Sequence, residues 1–195
     1  CFFLTTKSGQ AVIEIDITRG NLDPLPIAVS PLHLEAGSKE IKVDNKTIKN
    51  VGEEISKIIE TNFKRSGLFN PLKKDSFVQN PDIAHIKPRF EDWRLIKAQA
   101  LVTGKVTVTD DKLRAEFRLW DVIAAKEMIA LAFSTTPENW RRVAHIISDK
   151  IYQRLTGEEG YFDTRIIYVG ETGKKTQRIK KLAIMDQDGA NVKYL

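Results

Sequence analysis

Apolar residues recur along this chain with two periods, near 3.6 and 2, and the switches between them mark its elements. Val51, Ile55, Ile58, Ile59 and Phe63 keep helical spacing, with Glu53, Glu54, Lys57, Lys64 and Arg65 on the other face and Gly67 to stop the helix. A shorter helix is predicted from Phe90 to Ala98, on a face shared by Phe90, Trp93, Ile96 and Lys97. A third has Thr136 as N-cap, Pro137 in the first helical position and Gly157 at its end. Trp140, Val143, Ala144, Ile147, Ile151 and Leu155 form its apolar stripe.

Period-two segments fill the gaps. Ile13, Ile15 and Ile17 alternate with Glu14, Asp16 and Thr18, the pattern of a half-buried strand. Ile27-Ala28-Val29 lies between Pro26 and Pro31, and the prolines point to a place where backbone donors can be spared. Leu101–Val108, Leu113–Asp121 and Lys126–Phe133 read as successive strands, turned at Asp110-Asp111 and near Ala124-Ala125. The stretch from Leu34 to Asn50 is polar and lysine-rich and reads as a mobile loop. The fold class is α+β, a mixed sheet with helices packed on one face. After Gly160 the texture changes to an antiparallel meander: Thr164–Val169, Ile179–Met185, and a last strand after the turn Asp186-Gln187-Asp188-Gly189. It resembles the start of a propeller blade. About 35 residues remain there, against the roughly 40–45 that a full blade needs.

Composition narrows the classes. With 195 residues, 42% hydrophobic and 29% charged, a conventional core is available and disorder is excluded. Mean hydropathy is −0.30 and no long apolar run spans a bilayer. The net charge of +5 permits a nucleic-acid partner. The basic residues are scattered, however, and the densest group (Lys174, Lys175, Arg178, Lys180, Lys181) lacks aromatics to stack bases. The single cysteine, Cys1, allows no internal disulfide or zinc knuckle. Residues 1–11 read either as the remainder of a signal peptide, with Gly9 and Ala11 as the small residues before a cut, or as an ordinary terminus.

Candidate chemistry is sparse. His33, His85 and His145 show no metal-ligand spacing to each other or to carboxylates along the chain, and His145 reads as a helix-flank residue. Asp186 and Asp188 mimic the start of a calcium loop without its closing glutamate, so a turn is expected. Trp93, Trp120 and Trp140 fit core packing, and no nucleophile elbow, phosphate loop or dinucleotide fingerprint is present. These readings give no catalytic residues, no cofactor and no metal, and favour a binding or scaffold role over an enzyme.

Several stretches resemble the TolB family of the Tol-Pal system. They are Pro26-Ile27-Ala28-Val29, Leu68-Phe69-Asn70-Pro71-Leu72, Phe117-Arg118-Leu119-Trp120-Asp121 and Trp140-Arg141-Arg142 with Ala144-His145. Ile151–Gly157 follows, then Gly160, Phe162, Asp163-Thr164-Arg165-Ile166 and Tyr168-Val169, and then Leu182–Asn191. The resemblance implies an amino-terminal α/β domain over residues 12–160 and the start of a propeller over 161–195. It implies a monomeric periplasmic scaffold that binds TolA through its amino-terminal segment and Pal through the propeller. Outer-membrane integrity and constriction at division would depend on that link. The matching TolA-binding positions are Val12, Ile13, Glu14, Ile15, Asp16, Ile17 and Thr18, an alternating strand suited to adding to a partner's sheet edge. A nucleic-acid-binding α/β module and a non-catalytic accessory part of a propeller peptidase are the alternative functions.

Overall fold

The structure, a computed structural model, describes residues 13–15, 23–43, 46–174 and 176–195. In chain order come β1 (Leu25–Val29), β2 (His33–Leu34), β3 (Ile41–Val43), β4 (Lys46–Ile48), α1 (Val51–Ser66) and β5 (Phe69–Pro71). Next are α2 (Pro81–Ala84), α3 (Phe90–Leu95), β6 (Ala100–Val108), β7 (Leu113–Asp121), β8 (Lys126–Thr135) and α4 (Trp140–Thr156). The chain then forms β9 (Arg165–Thr172), β10 (Ile179–Asp186) and β11 (Lys193–Tyr194).

One mixed sheet orders its strands β5-β1-β6-β7-β8, with β2 also paired to β6. The β5, β1 and β2 pairings are parallel, and β6-β7-β8 is an antiparallel meander. β7 buries Leu113, Ala115, Phe117 and Leu119 and exposes Arg114 and Arg118, as its alternation requires. The long helices α1 and α4 cover that face. Ile55, Ile59 and Phe63 of α1 and Ile147, Ile151 and Leu155 of α4 are fully enclosed in the main core. Each such side chain contributes about 1.5–3 kcal/mol on leaving water. Asn50 caps α1, its side chain accepting from Glu53 N–H at 3.1 Å, and Gly67 and Gly157 close α1 and α4 at φ 72° and 78°. A 3₁₀ turn over Pro137–Asn139 leads into α4.

A smaller cluster lies on the opposite face, where Ala28 and Leu101 meet Ala84, Trp93, Ala98 and Val122. The short helices α2 and α3 therefore add a second layer beside the expected one. α3 stops at Leu95, short of the expected Ala98, because Lys97 takes φ 62°. Tilted α-helix continuation is lost there, and Ala98 N–H turns back to Trp93 O at 3.0 Å.

Two further expectations are corrected. β1 is an interior strand between β5 and β6, where backbone donors are not spared. Pro26 sits near the end of its ladder and its carbonyl still accepts from Gln99 N–H at 2.9 Å, so Ile27-Ala28-Val29 keep their own donors. The stretch 34–50 is not a plain loop but holds the hairpin β3-β4, with Ile41 buried and Val43 and Ile48 half-buried. Three apolar residues among the lysines suffice to pin it to the core.

The meander β9-β10-β11 is antiparallel, with Arg165–Thr172 paired along Ile179–Asp186. Ile167, Val169, Ile179 and Leu182 remain exposed on it. Among the described residues, no helix is long and apolar enough to cross a membrane.

Candidate functional site at the amino-terminal segment and the meander junction

Of the expected partner-binding positions, Ile13, Glu14 and Ile15 are described, while Val12, Asp16, Ile17 and Thr18 lie outside the described residues. Ile13–Ile15 forms no strand, contrary to the alternating pattern. Ile15 is buried, Ile13 half-buried against the main core, and Glu14 exposed. The Ile15 N–H donates to Leu155 O at 2.7 Å. Leu155 lies in the last turn of α4, where carbonyls have no intrahelical donor, so the segment satisfies a group the helix leaves open. Among the described residues, its backbone partner is a helix end.

The other concentration of polar chemistry is the contact between the helices and the meander. Gly160-Tyr161-Phe162-Asp163 runs across α4, where the Asp149 carboxylate accepts from Phe162 N–H at 2.7 Å and Asp163 N–H at 3.0 Å. Burial pushes the Asp149 carboxyl up from the ordinary carboxylate range, against the lowering effect of those two donors. A Cβ at Gly160 would stand 2.4 Å from Asp149 Cα, so only glycine lets the linker approach this closely. Phe162 is then fully buried, edge-on to Phe63 and Tyr152.

Beyond the linker, the turn after β10 folds back on itself: Gly189 N–H donates to Asp186 O and Ala190 N–H to Asp188 Oδ1. The expected turn is present. Asp188 of the turn pairs with Arg141 of α4, Asp163 of the linker with Arg142 of α4 at 3.1 Å, and Asp186 with Arg165 of β9 at 3.9 Å. Gln187 bridges Arg65 and Asn62 of α1.

His145 sits at the centre and is only 2% exposed. The helix-flank reading of this residue is thereby corrected. Its Nδ1 meets Asn62 at 3.0 Å and its Nε2 faces Asp188 Oδ2 at 3.6 Å. Burial holds the imidazole below its ordinary value, with the Asp188 charge opposing and Arg141 assisting. His145, Asp186 and Asp188 bring one ligand-type atom each within 4.8 Å of one another, a convergence invisible in the linear spacing. His33 and His85 also meet, stacked at 4.4 Å, with His33 Nδ1 2.7 Å from Asp82 Oδ1.

Sequence reasoning passed over Arg141, His145, Ser148 and Asp149 as a site. The available signal was a polar stripe at helical spacing, His145, Ser148, Asp149 and Tyr152, running beside the apolar one. Several basic residues are paired with carboxylates: Lys105 with Glu35 at 3.2 Å, Arg118 with Glu127 at 3.5 Å, and Arg178 and Lys180 with Glu171.

An α+β domain that carries a β-meander on a polar, ion-paired junction has the features of a binding or scaffold unit. Residues 13–128 match the family described as the TolB amino-terminal domain, and the chain belongs to that family. It is 69% identical over 194 residues to the Tol-Pal system protein TolB of Pelagibacter ubique (strain HTCC1062), which it matches along its whole length while spanning 44% of that relative. It is also similar to the crystal structure of TolB from Acinetobacter baumannii, with TM-score 0.70 and 26% identity, over 88% of this chain and 38% of that one.

Proposed function

We propose that this chain is part of a non-catalytic, periplasmic Tol-Pal scaffold. Residues 12–160 are its amino-terminal domain and 161–195 the first strands of its propeller. The observation that carries the reading is the match to the TolB amino-terminal domain over residues 13–128. The exposed apolar face of the meander, with Ile167, Val169 and Leu182, supports it, since a lone blade start leaves such a face for neighbouring blades.

In this reading the segment Val12–Thr18 takes TolA, and the propeller takes Pal. Among the described residues, Ile15 donates to Leu155 O and buries its side chain, and Ile13 packs against the core. Such contacts can be exchanged for the edge of a partner's sheet. Supporting outer-membrane integrity and constriction at division follows from such a link between the two membranes.

The test is a calorimetric titration of the TolA carboxy-terminal domain into the full-length protein and into a version lacking Val12–Thr18. Binding that vanishes with the deletion supports the assignment. Equal binding by both moves the TolA site elsewhere, and absence of binding by the intact protein removes the TolA assignment altogether.

A further inference from the structure

The polar contact between α1, α4 and the 186–191 turn has a direction, and Arg65 sets it. A guanidinium only donates, so the Gln187 atom it meets is Oε1, and Nε2 is turned toward Asn62. Gln187 Nε2 donates to Asn62 Oδ1 at 3.2 Å. Asn62 Nδ2 is then the donor to Ser148 Oγ at 2.9 Å and to His145 Nδ1 at 3.0 Å. Ser148 gives its own proton to Ala144 O at 2.9 Å and is free to accept. His145 Nδ1 therefore offers a lone pair, and the imidazole proton sits on Nε2, aimed at Asp188 Oδ2. This Nε2 is enclosed and has no hydrogen-bond partner among the described residues.

The same polarity decides against a cation among His145, Asp186 and Asp188. A metal would need the lone pair of Nε2, which here carries the proton. Arg141 already occupies Asp188 Oδ2.

We propose that this junction is an acid-opened latch: proton uptake at His145 Nδ1 sets two donors face to face with Asn62, breaks the relay and frees the 186–191 turn from the helices. Burial opposes the imidazolium, and it outweighs the carboxylates Asp188, Asp186 and Asp163 that favour the charge, with Arg141 on the side of burial. From α4 itself come Arg141, one turn before, and Asp149, one turn after. Arg65 of α1 lies at the far end of the relay. The turn and linker bring Asp186, Asp188 and Asp163, each already matched by an arginine: Arg165, Arg141 and Arg142. Glu138 lines the same cleft, at its exposed rim. Once the turn detaches, His145 meets water and recovers its ordinary proton affinity. The open state then binds the proton more tightly than the closed one, and acid shifts the balance toward opening.

The experiment uses the full-length protein with ¹⁵N-labelled histidine, followed by NMR between about pH 8 and 5, with hydrogen exchange of the turn amides read in parallel. His145 is expected in the Nε2–H tautomer at neutral pH, titrating below its ordinary value of 6.5. Exchange of the turn amides, corrected for intrinsic pH dependence, should rise by up to about tenfold per pH unit below 6.5 and level off beneath the closed-state pKa. His145→Gln should abolish the response. Asn62→Asp places an acceptor opposite Nδ1, so it should move the proton to that nitrogen, raise the pKa and reverse the sign. An Nδ1–H tautomer, a pKa at or above the ordinary value, or turn protection indifferent to pH would each overturn the proposal. So would zinc added alone if it ligates Nε2 in the closed protein.

Discussion

Two single atoms decide how the linker and the turn sit on α4. At Gly160 an added Cβ would stand 2.4 Å from Asp149 Cα, so its absence is what lets the linker lie against α4. Gly160→Ala must push backbone off backbone, and we expect a loss of about 1–3 kcal/mol in urea unfolding, the usual cost of overpacking. Asp188 accepts from Arg141 and faces His145 Nε2 at 3.6 Å, with its side chain 10% exposed and that of Arg141 25%. Asp188→Ala leaves a largely buried guanidinium without its partner, and unfolding should register a cost of about 1–3 kcal/mol. An exposed pair offers the control. Arg178→Ala, with Arg178 49% exposed beside Glu171, should leave the unfolding midpoint unchanged.

Among the elements, α4 does the most varied work. Its apolar stripe enters the main core, its polar stripe holds the linker and the turn, and its last turn accepts the Ile15 N–H. The α1–α4 contact should dominate stability because its residues are wholly enclosed. Ile147→Ala is expected to cost about 2–5 kcal/mol by denaturant titration, the range for a buried isoleucine. Leu95→Ala on α3 removes a side chain that is 77% exposed, and its change should stay within about 0.5 kcal/mol.

For the whole molecule, the buried His145 and the half-buried His85 set a direction for pH. Burial lowers both His145 and His85 from 6.5. Above 6.5 both are neutral folded or unfolded, and their contribution to stability is fully present. As pH falls below 6.5 the unfolded chain takes up protons that the folded one refuses, and stability is lost. The urea midpoint should drop between about pH 7.5 and 5.5, and the His85→Gln, His145→Gln double variant should flatten that drop. Nearer the carboxylate range, Glu60 and Asp149 work the other way, since burial raises both and the folded state then holds the proton more tightly.

Periodicity alone determined α1, the β6-β7-β8 meander and the end of α4 to within about two residues, because each is local. The start of α4 differs: it begins at Trp140 after a 3₁₀ turn and not at Pro137, and Thr136 makes no side-chain cap. Periodicity also determined that the chain changes character after Gly160. Tertiary structure decided what periodicity does not encode. Pro26 and Pro31 argued for a place where backbone donors can be spared, yet β1 pairs on both sides, because ladder partners come from distant segments. Ile13–Ile15 had a strand's alternation but found a helix carbonyl instead of a neighbouring strand. The histidines carried no motif, since the carboxylate facing His145 lies 43 residues along the chain. Strand and helix periods are properties of a few consecutive residues. A buried imidazole's proton is fixed by whatever the fold brings to its other nitrogen, and here that is an asparagine oriented by an arginine through a glutamine on the meander.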